Sequence, residues 1–334
     1  MTTNKDYVFA SARVRGAEKN LLTREMAEKM ADSKNAAEAV RILLDLGYGG
    51  EDAELRDGAD TDDLLARELM KTYDFILEVA PDKSVFDPFF CVYEYHNLKV
   101  LLKAEFAGTE AKPALIPIGA RSPEELADMV REREFLSAGE IMRSAVLEAI
   151  DVFSRTKDPQ RIDFILDKAC YAEMSAAAEK GGSRFIQDYV KLAIDLVNLK
   201  AFLRVREMKR PWEFFKQVLL AGGSLDEAFF EHSFEDSFDQ LAEKLLSCGL
   251  SDVVAQGGAA LAETGRFTVL EKLCDDKLTD FARDAKYISF GVEPLAAYLI
   301  AREGDIRLAR IILAGLEQGL ARDAIAERMR KTYV

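Results

Sequence analysis

The sequence predicts an all-α protein assembled from three related helical bundles. Apolar residues recur at helical spacing in nearly every segment, while alternating β-branched runs are few. Ala, Leu, Glu, Lys, Arg and Met, the stronger helix formers, fill most positions. A short unit also repeats: HNLKVLLK around residue 97 and VNLKAFLR around residue 198. In each, an asparagine (Asn97, Asn198) precedes Leu-Lys, then an apolar pair, then a closing Lys103 or Arg204. A looser third copy aligns Leu308 with Asn97, which sets Arg310 opposite Lys99 and Ile312–Leu313 opposite Leu101–Leu102. Internal repetition at this spacing points to a triplicated body, divided at 1–110, 111–210 and 211–334.

The elements follow in order. Residues 1–20 read as an irregular lead-in, with Tyr7, Phe9 and Val14 able to pack. Leu21–Met30 and Asn35–Leu46 are amphipathic, and Gly47 with Gly49–Gly50 closes the second. The acidic stretch EDAELRDGAD (51–60) reads as a solvent loop, with Asp60 or Thr61 capping the next helix, Leu64–Val79. Phe86–Asp87–Pro88 reads as a stop before the helix Phe89–Phe106, which is apolar on most of its circumference and so belongs inside a bundle. A buried Asn97 on it needs a partner, and its recurrence as Asn198 suggests a repeated bond between helices.

AGTEAKPALIPIGA (107–120) reads as a linker. Ser122-Pro123-Glu124-Glu125 is a strong helix start, and Ser137 with Glu140 has capping-box spacing. Asp158–Pro159 opens the next helix, Gly181–Gly182 forms a joint, and Phe185–Met208 carries the second Asn-Leu-Lys unit. An aromatic cluster around Trp212 follows, with Gly222–Gly223 as a stop and Ser224/Glu227 as a further box. Phe229, Phe230, Phe234 and Phe238 lack interleaved basic residues and read as core rather than base-stacking positions. Gly257–Gly258 is a second joint. At the C-terminal end, Tyr287–Tyr333 reads as two helices. The first starts at Pro294 and weakens at Gly304; the second runs from Ile306 and is interrupted at Gly315 and Gly319, with a shorter piece at Ile325–Met329.

The chain has 334 residues, 49% hydrophobic and 31% charged, enough for one large core or several smaller ones. No run of about 18 uncharged apolar residues occurs, and the N-terminus lacks a signal-like apolar segment, so direct membrane insertion is not expected. A net charge of -14 argues against non-specific nucleic-acid or anionic-membrane binding. Cys91, Cys170, Cys248 and Cys274 form no CxxC pair and read as buried free thiols. Phosphate-loop, zinc-protease and nucleophile-elbow motifs are missing. Adjacent acids such as Asp275–Asp276 sit where helix starts or loops are expected, and His96 lies on an apolar helix as a satisfied core residue. A non-enzymatic component with no catalytic, metal-binding or cofactor-binding residues is therefore the leading class. Candidate partner-facing residues are the repeated basic positions Lys99, Lys200 and Arg310, with Arg302 and Arg307 beside the last. The plainer reading makes them surface charges, with the arginines paired to Glu303, Asp305 or Glu317.

YEYHNLKVLLKAEF (93–106), GVEPLAAYLIAREGDIRLARIILAGLEQGL (291–320) and the terminal ERMRKTY resemble the C-subunit family of archaeal and bacterial V/A-type ATPases, related to the d-subunit of the eukaryotic vacuolar pump. Glu293–Pro294, Tyr298, Glu303, Arg310 and Tyr333 carry the most specific part of the match. The third unit departs from the Asn-Leu-Lys pattern, reading Leu-Ala-Arg. The resemblance implies a funnel-shaped body of three related bundles that binds no nucleotide. It implies a place on the cytoplasmic face of the membrane, bound to the rotor ring and receiving the foot of the central stalk. Its role there would be passing torque for ATP-coupled proton or sodium transport. The alternative is a free-standing helical scaffold that binds two proteins.

Overall fold

The computed structural model describes residues 5–50 and 61–334, and every regular element among them is helical. The acidic stretch 51–60, with Asp60 as a cap, lies outside the described residues. Two compact units form: one from residues up to Asp82 together with Asp236–Val334, the other from Lys83–Glu235.

The first unit is organised around α15 (Val292–Glu317), which packs against α1 (Val8–Ala17), α2 (Arg24–Ala31), α3 (Ala36–Asp45), α4 (Thr61–Val79), α14 (Thr268–Asp284) and α16 (Arg322–Arg328). Its core joins Leu22, Met30, Leu43 and Leu65 to Ile306, Ile312 and Met329. Side-chain oxygens of Thr23 and Asn35 cap α2 and α3, so both helices start later than their apolar runs suggest. The lead-in is a correction: Val8–Ala17 is helical because Ala10, Ser11 and Val14 bury one face against the unit. The two-helix reading at Gly304 is another. α15 is one 26-residue helix through Gly304 and Gly315, since burial along both halves outweighs a glycine penalty of about 1 kcal/mol. Gly257–Gly258 is not a joint either. Both lie inside α13 (Ser251–Thr264), where Leu270 and Phe238, the first residue of α12 (Phe238–Lys244), pack against the missing side chains.

In the second unit, α8 (Pro159–Gly181) packs against α5 (Asp87–Ala107), α7 (Glu140–Thr156) and α9 (Arg184–Glu207), and α6 (Pro123–Glu132) packs on α5. The Ser122/Glu125 capping box forms in full, and Asp158 with Pro159 starts α8. The Ser137/Glu140 box does not form: Gly139, at φ 84, is the residue before α7 and provides no side-chain cap. The stop after the Trp212 cluster also comes earlier than Gly222. α10 (Trp212–Val218) ends where Leu219 turns extended, and Asp226, not Ser224, caps α11 (Glu227–His232). Phe202, Phe215, Phe230 and Phe234 pack ring on ring in this core, with centroids 5.2–5.8 Å apart around Phe202. Cys91, Cys170 and Cys274 are buried as expected, while Cys248 is exposed.

Candidate functional site

The repeated asparagines bind loops, not neighbouring helices. On α5, Asn97 Nδ2 donates to Ile116 O at 2.7 Å, and Ile116 N donates back to Asn97 Oδ1 at 2.9 Å. On α9, Asn198 makes the same two bonds with Leu220, both at 2.8 Å. An amide side chain offers one donor and one acceptor in a plane, which matches the paired groups of an extended residue. Asn97 thus clamps the 107–120 linker near its middle, and Asn198 clamps the extended residues that follow α10.

Three residues before each clamp stands a buried carboxylate that the Asn-Leu-Lys motif does not include. Glu94 accepts from Arg121 N at 2.8 Å and pairs with the Arg121 guanidinium at 3.0 Å. Asp195 accepts from Ser224 N at 3.0 Å and Leu225 N at 2.9 Å. The same offset from Leu308 gives Asp305, which accepts from Leu22 N at 2.8 Å. The looser third copy of the motif therefore keeps the acid but has Leu308, buried, where the amide stands in the other two. Its acid also holds a segment near the N-terminus, whereas Glu94 and Asp195 hold segments 27–30 residues further along the chain. The signal was legible: Glu-x-x-Asn, Asp-x-x-Asn and Asp-x-x-Leu share one register.

Burial raises all three carboxylates above the ordinary carboxylate range, opposed by the backbone donors. Asp305 is pushed up to about 7, with the nearby Arg302 charge pulling it back down. Arg302, a candidate surface residue by sequence, is 2% exposed. Its guanidinium donates to Asn20 O at 3.1 Å and to Glu68, and its Cζ stands 4.6 Å from the Tyr48 ring centroid. Arg302 and Asp305 together tie the Asn20–Leu22 segment to α15.

The other candidates lie nearer the surface. Arg307 pairs with Asp275 at 3.4 Å and Arg310 with Asp62 at 3.2 Å, both exposed pairs. These arginines bind acids on α14 and α4, not acids within their own helix. Lys99, half-buried, pairs with Asp167 on α8 at 2.7 Å, and Lys200 is half-buried. The five basic residues thus divide between the two units and differ in burial. His96 contacts Ala114 O at 3.0 Å, a structural role. Among the described residues no group of His, Cys, Asp or Glu is arranged to hold a metal ion, and no helix is long and apolar enough to cross a membrane.

The family described as ATP synthase (C/AC39) subunit matches residues 10–328. The chain belongs to this family. Similar proteins include the C-subunit of the V-type sodium ATPase of Enterococcus hirae, 26% identical over 96% of this chain and 97% of that one. The C-subunit of the A-type ATP synthase of a Desulfurococcus species is 24% identical, over 96% and 90%. That of Pyrococcus horikoshii is 23% identical, over 96% and 89%. C/AC39 subunits are non-catalytic components of rotary ATPases, and the chain is of that non-catalytic class.

Proposed function

We propose that the chain is the rotor socket of a V/A-type ATPase, linking the central stalk to the membrane rotor ring and passing torque between them. On this reading it is a funnel of three related units, 1–110, 111–210 and 211–334. It sits on the cytoplasmic face of the membrane through the ring and supports ATP-coupled transport of protons or sodium. The observation that carries the proposal is the family match across nearly the full chain, including the sodium ATPase relative matched over 97% of its length.

The repeated clamps support it. A part that transmits torque must resist bending, and loops pinned to helices by paired buried hydrogen bonds give stiffness that apolar packing alone does not. Arg307, Arg310, Lys99 and Lys200 are the proposed partner-facing charges. Exposed pairs of the Arg310–Asp62 kind contribute about 0–1 kcal/mol each and can be exchanged for a partner's acid at little cost.

The test is a binding titration of the purified chain against central-stalk proteins, and separately against the detergent-solubilised ring. Saturable binding to both, with simultaneous occupancy, is expected. Failure with both folded partners would return the chain to a general helical scaffold.

A further inference from the structure

Beyond α16 the chain turns extended at Met329, and residues 330–334 lie against α14 without forming a helix. Much of their grip is through backbone groups. Lys331 N donates to Asp276 Oδ1 at 2.6 Å, and the Arg283 guanidinium donates to Thr332 O and, at 3.2 Å, to Tyr333 O. Tyr333 is the anchor, 1% exposed. Its hydroxyl meets Glu18 Oε1 at 3.4 Å, and Lys286 Nζ stands 4.6 Å from its ring centroid. Glu18 also holds Arg15 at 2.6 Å, and Arg15 Nη2 donates to Ala285 O and Ile288 O, both at 2.8 Å. A little further on, Gly291 N donates to Ser11 Oγ at 3.3 Å. The side chains that α1 itself buries are only Ala10, Ser11 and Val14, which remove little apolar area from water.

Three segments far apart in the chain, 8–18, 283–291 and 330–334, therefore meet around one buried ring and one carboxylate. Arg15, Arg283 and Lys286 crowd together there. Burial and the Arg283 and Arg15 charges push the Lys286 ammonium below its usual range, with Glu18 opposing. The face of the Tyr333 ring and the carbonyls of Thr332 and Tyr333 offset that crowding. We propose that segment 330–334 is a latch. Docked, it fixes Glu18 and Arg15 and, through them, the 285–291 turn, which presents Tyr287, 91% exposed. Released, it removes the ring from Lys286 and two acceptors from Arg283, so α1 and the turn open together while α15 stays packed on α2, α3 and α4. Thinly buried segments open in such local units at a lower cost than global unfolding. The latch lies wholly within the unit that contains α15 and does not depend on the coupling role.

Native-state hydrogen exchange of the full chain, read by mass spectrometry, tests this. Tyr333→Ala is expected to speed exchange about tenfold in peptides covering 8–20 and 285–291 together, with peptides from α3, α4 and the Lys83–Glu235 unit unchanged. Glu18→Ala cuts the link to Arg15 but leaves Tyr333 in place. It is expected to speed exchange in the same two regions while the 329–334 peptide keeps its wild-type rate. Lys331→Met removes only the exposed pair of Lys331 Nζ with Asp280 and should leave both regions as in the wild type. Faster exchange confined to 329–334, or spread evenly over the whole unit, would overturn the latch. If Tyr333→Ala does not fold, Glu18→Ala decides alone, and unchanged exchange at 285–291 overturns the proposal.

Discussion

Asp305 shows how much one buried side chain decides. Its carboxyl is held up to about 7 by burial, against an ordinary value of about 3.9. The folded chain thus binds this proton more tightly than the unfolded chain. The resulting stability is fully present below about pH 4 and is lost as pH rises through 7, at up to about 1.4 kcal/mol per pH unit between them. Asp305→Asn keeps an oxygen for Leu22 N and cannot ionise. Urea unfolding across pH should show a flatter profile for this variant than for the wild type, and greater stability at pH 8. An unchanged slope would assign the pH dependence to other groups. Glu94 and Asp195 are shifted in the same direction. At the clamps, Asn198→Leu leaves both backbone groups of the buried Leu220 unpaired and should cost about 3 kcal/mol. Asn97→Leu should cost less, because Ile116 is half-buried and water can replace the amide. Equal losses in the two variants would contradict the burial argument.

Among the elements, glycine separates what is legible in sequence from what is not. Gly304 lies within α15 with open space where a Cβ would stand, whereas a Cβ at Gly258 would meet Phe238 at 2.6 Å. Gly304→Ala should stabilise the chain by about 0.5–1 kcal/mol through backbone entropy. Gly258→Ala should destabilise it by about 1–3 kcal/mol through overpacking. Opposite shifts in thermal midpoint would check both. Both residues looked like helix breaks because local propensity was weighed without the packing that overrides it. Starts marked by a cap and a proline, Ser122–Pro123 and Asp158–Pro159, were legible since the cap is a local interaction. α1 was not, because its burial depends on α15, some 280 residues away in the chain. The asparagine clamps were half legible. Their register is visible, but their partners sit in loops without periodicity, and the acids three residues earlier lie outside the Asn-Leu-Lys motif.

For the molecule as a whole, the all-α class followed from periodicity and composition, and the family from the 93–106 and 291–320 stretches. Arg302 illustrates what those could not show. Its place in an arginine-rich helix suggested a surface, yet Glu68 comes from α4, more than 200 residues away. Arg307 and Arg310 remain at the surface, on a chain of net charge -14. If they face a partner, Arg307→Glu with Arg310→Glu should weaken stalk or ring binding and steepen its salt dependence, with the unfolding midpoint nearly unchanged. Unaltered binding would confine them to pairing with Asp275 and Asp62. The most direct test of the coupling role compares the reconstituted rotary complex with and without this chain in sealed vesicles. With the chain omitted, ATP hydrolysis by the head should continue while ATP-driven ion uptake is lost, and adding the chain back should restore uptake. Undiminished uptake without it would contradict the socket role.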